Sequence, residues 1–218
     1  MKIKRFSFNP FQENTYIVYD ENSLDCAIID PGCYFPEEQK SLLQFLQDNN
    51  LQPSKVLYTH CHLDHCFGAT FLAEQFPAIK FYGHANEQEN INIAEQQGAV
   101  FGIAFQQPPS ISHYVFDGET ITIGNCILTV IETPGHSAGG VCYYCENEKI
   151  LFSGDTLFAG SVGRTDLFGG NMQALIQAIN TKLMTLPDDV TVYCGHGYAT
   201  TIIEEKHGNP YIYHETNS

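Results

Sequence analysis

Residues 2–8 alternate apolar with polar side chains, and 14–19 and 26–29 are short runs rich in apolar and β-branched or aromatic residues, both of which mark strands. Asn9-Pro10 and Asp20-Glu21-Asn22 separate these runs, and Asp30-Pro31-Gly32 closes the third. Such residues favour turns, so the chain is expected to start with antiparallel strands. From 36 to 49 the spacing changes. Leu42, Leu43, Phe45 and Leu46 gather on one side of a helix. A short strand at 56–58, a helix at 69–75 and a strand at 79–82 follow. Residues 84–112 differ: they are rich in Gln, Asn and Glu and then carry Gln-Gln-Pro-Pro-Ser. They read as a helical insertion or lid. Strands resume at 121–123, 127–131, 141–145 and 149–152. A helix is expected at 172–184, a strand at 190–193 and a short helix at 200–206. Strands and helices come in two similar blocks, which predicts an α+β chain of two packed sheets with helices outside, four layers in all.

At 218 residues the chain suits one large domain, 1–218. The start, Met1-Lys2-Ile3-Lys4-Arg5-Phe6, is charged but lacks a following apolar run of signal-peptide length. No stretch approaches the roughly 20 apolar residues of a membrane span, so the expectation is a soluble, cytoplasmic protein. The 8 cysteines then read as free thiols. Cys142-Tyr-Tyr-Cys145 has CxxC spacing, but in an alternating run its two thiols face opposite sides, and no second CxxC pairs with it. The 25 Asp and Glu outnumber the 10 Lys and Arg. Nucleic-acid binding needs a basic surface, and so does an anionic membrane, so both lose weight as partners.

The densest chemistry is Thr59-His60-Cys61-His62-Leu63-Asp64-His65. Imidazole nitrogen and carboxylate oxygen are the usual ligands of zinc and similar divalent metals. A helical metal site spaces its ligands at i and i+4. Here the first two histidines are two apart, and Asp64 and His65 are adjacent. The spacing predicts a loop that wraps two metals, one bound by His60 and His62, the other by Asp64 and His65. Three further candidates each follow an expected strand, where active-site loops collect: His136 in Thr133-Pro134-Gly135-His136-Ser137, Asp155 in Ser153-Gly154-Asp155-Thr156, and His196 in Cys194-Gly195-His196-Gly197. Seven ligands give two metals three apiece plus one bridging carboxylate, with positions open for water, as in a catalytic site. Cys61 and Cys66 flank a loop that already has ligands enough. His84, His113, His207 and His214 read as surface or packed histidines.

The series His60-x-His62-x-Asp64-His65, His136, Asp155 and His196 resembles the metallo-β-lactamase superfamily over nearly the whole chain. The resemblance implies an αββα sandwich with the site at one edge of its sheets. It also implies that His60, His62 and His136 hold one metal, Asp64, His65 and His196 the other, and that Asp155 bridges. Gly154-Asp155-Thr156-Leu157-Phe158 and Gly163-Arg164-Thr165-Asp166 resemble the glyoxalase II group, the hydroxyacylglutathione hydrolases. Gly195-His196-Gly197, Glu204-Glu205-Lys206 and Asn209-Pro210 resemble its short bacterial members. Larger members add a C-terminal helical domain that helps hold glutathione, whereas this sequence ends about twenty residues after His196. β-Lactamases of the commonest zinc type carry Arg where this chain has His65 and Cys where it has Asp155, so a lactamase is disfavoured, as is a lactonase.

The expected chemistry is hydrolysis of a small-molecule thioester such as an S-acylglutathione. Two divalent ions, zinc first and iron or manganese next, bring a shared water close to hydroxide at neutral pH. Asp64 has a catalytic part in orienting that nucleophile. Arg164 either contacts an anionic substrate or braces its loop in a buried pair with Asp166. Phe101 and Phe105 either line a substrate pocket or pack the lid. Persulfide dioxygenases resemble the same family and hold one iron with the equivalents of His60, His136 and Asp155. Gly195-His196-Gly197 completes a second site and favours the hydrolase over that oxygenase, and over a non-catalytic metal-binding module.

Overall fold

The computed structural model describes residues 1–212. The runs at the start become strands β1 (Lys2–Phe8), β2 (Glu13–Tyr19) and β3 (Asp25–Ile29), paired antiparallel. Helix α1 (Pro36–Asp48) returns the chain so that β4 (Gln52–Leu57) lies parallel to β3. Two short helices follow, α2 (Leu63–Cys66) and α3 (Ala69–Gln75), then β5 (Lys80–His84). A 3-10 turn at Ala85–Glu87 leads into α4 (Gln88–Asn92) and α5 (Ala94–Val100), and β6 (His113–Val115) closes a six-stranded sheet in the order β1-β2-β3-β4-β5-β6.

The second half repeats the plan. Strands β7 (Thr120–Ile123), β8 (Cys126–Glu132), β9 (Val141–Cys145) and β10 (Ile150–Gly154) form an antiparallel meander. A hairpin of β11 (Leu157–Phe158) and β12 (Ser161–Val162) precedes α6 (Met172–Ala178), which runs into one π turn at Ile179–Leu183. Strand β13 (Thr191–Cys194) pairs parallel with β10, β14 (Thr200–Thr201) adds the edge, and α7 (Ile202–Gly208) ends the described chain. The order is β14-β13-β10-β9-β8-β7.

Each sheet is covered on both faces. Val18, Ala27, Ile29 and Leu57 of the first sheet pack against Ile123, Leu128, Val130 and Tyr143 of the second. The alternate residues Ile17, Ile28 and Val56 face Leu42 and Leu46 of α1 and Leu72 of α3. Leu151 and Val192 face Leu175, Ile179 and Ile202 on the other outer layer. The result is the expected αββα sandwich. Strand pairs such as Ile17-Val18 and Ile28-Ile29 therefore read as continuous apolar runs, because both faces lie in a core.

Several details differ from expectation. The histidine motif is not all loop, since Leu63–Cys66 makes one helical turn. The helix expected at 172–184 is α only to Ala178. The last helix starts at Ile202, because the Thr201 hydroxyl caps it by accepting from Glu204 N–H at 3.3 Å. Cys142 packs in the outer layer and Cys145 between the sheets, on opposite faces as their spacing implies. All 8 cysteines are buried and unpaired. No helix among the described residues is long and apolar enough to cross a membrane.

Candidate metal centre

The expected ligands all follow strand ends: His60 and His62 follow β4, His136 follows β8, Asp155 follows β10 and His196 follows β13. The base of the first loop is gripped from the second sheet. Tyr143 donates its hydroxyl to Tyr58 O at 2.7 Å, and Val141 N–H donates to Thr59 O at 2.8 Å. A register shift in the β10–β13 pairing and a φ of 50° at Gly154 turn the chain there and present Asp155. Gly195 has to be glycine, since a Cβ would collide with the Asp155 carboxylate and crowd the His65 ring.

These loops bring the side chains into two trios, His60 with His62 and His136, and Asp64 with His65 and His196. Within each, the ligand atoms lie within 4.8 Å of one another. In the first, His136 Nε2 lies 2.9 Å from His62 Nδ1 and 3.2 Å from His60 Nε2. In the second, His196 Nε2 lies 3.2 Å from Asp64 Oδ2. Asp155 stands between them, with Oδ1 3.4 Å from His65 Nε2 and Oδ2 3.5 Å from both His136 Nε2 and His196 Nε2. Asp64 and His65 thus do converge on one point, because one helical turn aims both at His196.

The outer nitrogens are anchored. His60 Nδ1 lies 3.1 Å from Thr59 Oγ1, His65 Nδ1 3.0 Å from Asp30 Oδ2, His136 Nδ1 2.7 Å from Arg164 O and His196 Nδ1 3.1 Å from Phe11 O. Such partners fix the ring orientation and turn the other nitrogen to the centre. There the buried His65 Nε2 and Asp155 Oδ1 have no hydrogen-bond partner. Burial and the neighbouring His65 push His60 well below the usual histidine range, and burial with His136 lowers His62 to about 4. Burial opposes the charge on His65, yet Asp64 and Asp155 raise it well above its ordinary value. His196 is raised by its bond to Asp64 against the same opposition. Burial likewise fails to lift Asp155 and Asp64, both held low by His65. The second trio thus demands positive charge in its midst, and the first offers neutral nitrogens. Nitrogens about 3.3 Å apart are what tetrahedral bonds of about 2.0–2.1 Å to zinc require. The donor set fits divalent metal.

Sequence reasoning missed two buried carboxylates. Asp30 accepts from Thr59 N–H at 2.7 Å and Thr59 Oγ1 at 2.6 Å, besides holding His65. Its signal was its place just past β3, like the other loop residues. Glu87 accepts from Cys61 N–H at 2.8 Å and Gly139 N–H at 2.7 Å, which ties the first histidine loop to the His136 loop. It lies in a polar run with nothing to single it out.

A cavity of about 570 Å³ opens over His62, Asp64, His136, Asp155 and His196. Phe101 lines it, whereas Phe105 packs edge-on against Phe67. Arg164 also lines it, and the pair with Asp166 forms, with both contacts at 2.7 Å. That pair is exposed, not buried as expected, because its loop rims the cavity. His84 faces Glu132 at 3.3 Å, His113 meets Glu119 at 2.6 Å, and His207 is exposed on α7. None of the three joins either trio, and His214 lies outside the described residues.

Residues 8–196 match the family model described as the metallo-beta-lactamase superfamily. The chain is 36% identical to the probable metallo-hydrolase YqgX of Bacillus subtilis (strain 168), covering 97% of this chain and 98% of that one. It is 33% identical to hydroxyacylglutathione hydrolase GloC of Haemophilus influenzae, covering 97% and 98%. Among solved structures, BLEG-1, a B3 metallo-beta-lactamase, aligns with a TM-score of 0.86 at 33% identity over 97% and 99%. TTHA1623 in a di-iron-bound form aligns at 0.85 and 33% over 96% and 100%. With its sandwich, its two ligand trios and these matches, the chain belongs to the metallo-beta-lactamase superfamily, as a metallo-hydrolase with a His/Asp metal site.

Proposed function

We propose that the chain is a binuclear metal-dependent hydrolase that cleaves a thioester. The observation that carries the reading is the pair of complete trios flanking Asp155. His60, His62 and His136 would hold one ion and Asp64, His65 and His196 the other, with Asp155 placed between the two trios. Zinc suits this set, and so do iron and manganese; the di-iron form of TTHA1623 supports the wider choice. When bound, such a pair supplies a Lewis acid and a water acidic enough to ionise near neutral pH.

The protein's own groups do the rest. Asp64, within hydrogen-bonding reach of His196, orients the attacking water by accepting its hydrogen. The fixed rings of His65 and His136 keep the geometry rigid during attack on the carbonyl. A thiolate leaves without strong acid assistance, which agrees with a cavity lined by no acids but Asp64 and Asp155. Residues 84–112 act as a lid, because Gln97, Val100 and Phe101 at the end of α5 wall the cavity. S-Acylglutathiones are the first thioesters to assay, on the strength of the Haemophilus relative.

The test is metal quantification on purified protein, coupled to a thioester assay, with His196→Ala as control. Two ions per chain and turnover are expected. The variant is expected to retain about one ion and lose at least about 100-fold in kcat, the scale of losing one charge-stabilising group. Full activity in His196→Ala defeats the two-metal mechanism. One iron per chain with oxygen uptake on a persulfide would instead favour an oxygenase built on His60, His136 and Asp155. Turnover of a β-lactam without any thioester would move the substrate towards that of BLEG-1.

A further inference from the structure

The cavity above the metal centre has a polar floor and largely apolar walls. Its walls are Phe11, Leu63, Phe101, Phe158, Leu167 and Phe168, with Val100 at the rim. Several are exposed: Phe101 by 59%, Phe168 by 58% and Val100 by 83%. Large apolar side chains converging around one opening mark a ligand site. Of the 10 Lys and Arg in the sequence, Arg164 alone lines this cavity. Its Nε and one terminal nitrogen are already spent on the two carboxylate oxygens of Asp166. Arg5 donates to Gly197 O at 3.2 Å and stands outside the lining. A glutathione thioester brings two carboxylates and one ammonium, and the one lysine or arginine it meets in the lining is Arg164, already paired with Asp166. The formal net charge of -15 also repels an anion on approach.

We infer that the substrate is a thioester whose acyl group is apolar, an aromatic ring or a chain of several methylenes, and whose thiol portion needs no negative charge. This rests on the thioester reading above and narrows it. The acyl group lies against Phe101, Phe158 and Phe168 while its carbonyl reaches the floor of histidines and carboxylates. Each methylene removed from water is worth about fourfold in kcat/KM, so chain length has a measurable effect.

The metal-loaded protein is assayed on acetyl and hexanoyl thioesters of N-acetylcysteamine, which is neutral, and on the same acyl groups carried by glutathione. The hexanoyl-to-acetyl ratio of kcat/KM is expected at about tenfold or more on the neutral thiol. Glutathione is expected to bring no advantage for the same acyl group. Raising salt from about 0.01 M to about 0.5 M should speed the glutathione thioesters and leave the neutral ones unmoved, because it screens the repulsion. Phe101→Ser and Phe168→Ser alter exposed side chains, so folding is spared. In both, the hexanoyl-to-acetyl ratio should fall towards one. A ratio near one in the unaltered protein overturns the inference, and so does a glutathione preference of tenfold or more that Arg164→Ala abolishes. Absence of turnover in both series overturns thioester hydrolysis itself, and this inference with it. Turnover with a flat ratio overturns the acyl preference alone.

Discussion

Asp30 shows how much of the His/Asp centre is carried by a residue outside the two trios. One of its oxygens accepts from Thr59 N–H, and the other from Thr59 Oγ1 and the His65 ring. With Nδ1 of His65 held on Asp30, Nε2 is turned to the centre beside Asp155, where a metal could take the place of its proton. Asp30→Asn would place an amide N–H2 or a weaker acceptor at that nitrogen and loosen the tautomer. Metal affinity is expected to fall about 10–100-fold, the usual cost of losing such a partner. Competition against a chelator reads it; affinity equal to the parent would mean that Asp30 merely ends its strand. The seven side chains that meet here were legible in the sequence because His60-x-His62-x-Asp64-His65 is too dense in imidazole for an ordinary loop, and His136, Asp155 and His196 each follow a strand. Asp30 was not, since Asp before Pro-Gly also makes an ordinary turn. Nor was Glu87, whose role exists only because distant loops meet at it.

At the scale of elements, the periodic ones were read closely. Strand β1 and helix α3 fall where the pattern put them, since β1 spans more than three periods of its repeat and α3 about two turns. The short ones were not: β6, β11, β12 and β14 have two or three residues, less than any repeat needs. Helix α2 has four and exists because the chain must turn under Asp155. In the long helix the pattern was right and its geometry different. Leu175, Ile179 and Leu183 are all fully buried. Steps of four drift about 40° round an α-helix, and the wider π turn at Ile179–Leu183 keeps them on one face. Helix α1 gives a prediction here. Glu38 accepts from Tyr34 N–H at 2.8 Å and Phe35 N–H at 3.0 Å, and reaches across to Asn9 N–H at 2.7 Å in the β1–β2 turn. Glu38→Ala leaves three donors without partners and is expected to cost about 1–2 kcal/mol, read by denaturant unfolding. Loss of stability below about 0.3 kcal/mol would mean that water replaces the carboxylate at no cost.

Across the whole molecule, the two halves must hold their sheets in register if loops from both are to meet at one centre. Tyr16 donates to Cys194 O at 2.7 Å near the site, and at the other end of β3 the tie is Asp20. Its carboxylate accepts from Asn22 N–H and Ser23 Oγ within its own turn, at 3.1 Å each, and from Asn125 N–H and Nδ2 of the β7–β8 turn at 3.0 Å each. The two-block pattern made the pair of sheets legible; it could not reveal this tie, because Asp20-Glu21-Asn22 and Gly124-Asn125 each read as complete turns. The Asn22 N–H bond, followed by that of Asn125, holds Asp20 below the usual carboxylate range. A depressed carboxyl stabilises the folded chain above its ordinary pKa of about 3.9. That stabilisation is lost as pH falls through the lowered value, because the unfolded chain takes up the proton first. Asp20→Ala should therefore melt below the parent at pH 7, and the gap should hold down to about pH 5. Below about pH 4 the parent loses its advantage and the two melting curves draw together. Metal content at neutral pH should stay equal, since Asp20 and the ligands sit at opposite ends of the strands. A gap of constant size across the whole range would mean that Asp20 works by packing, with no part for its charge.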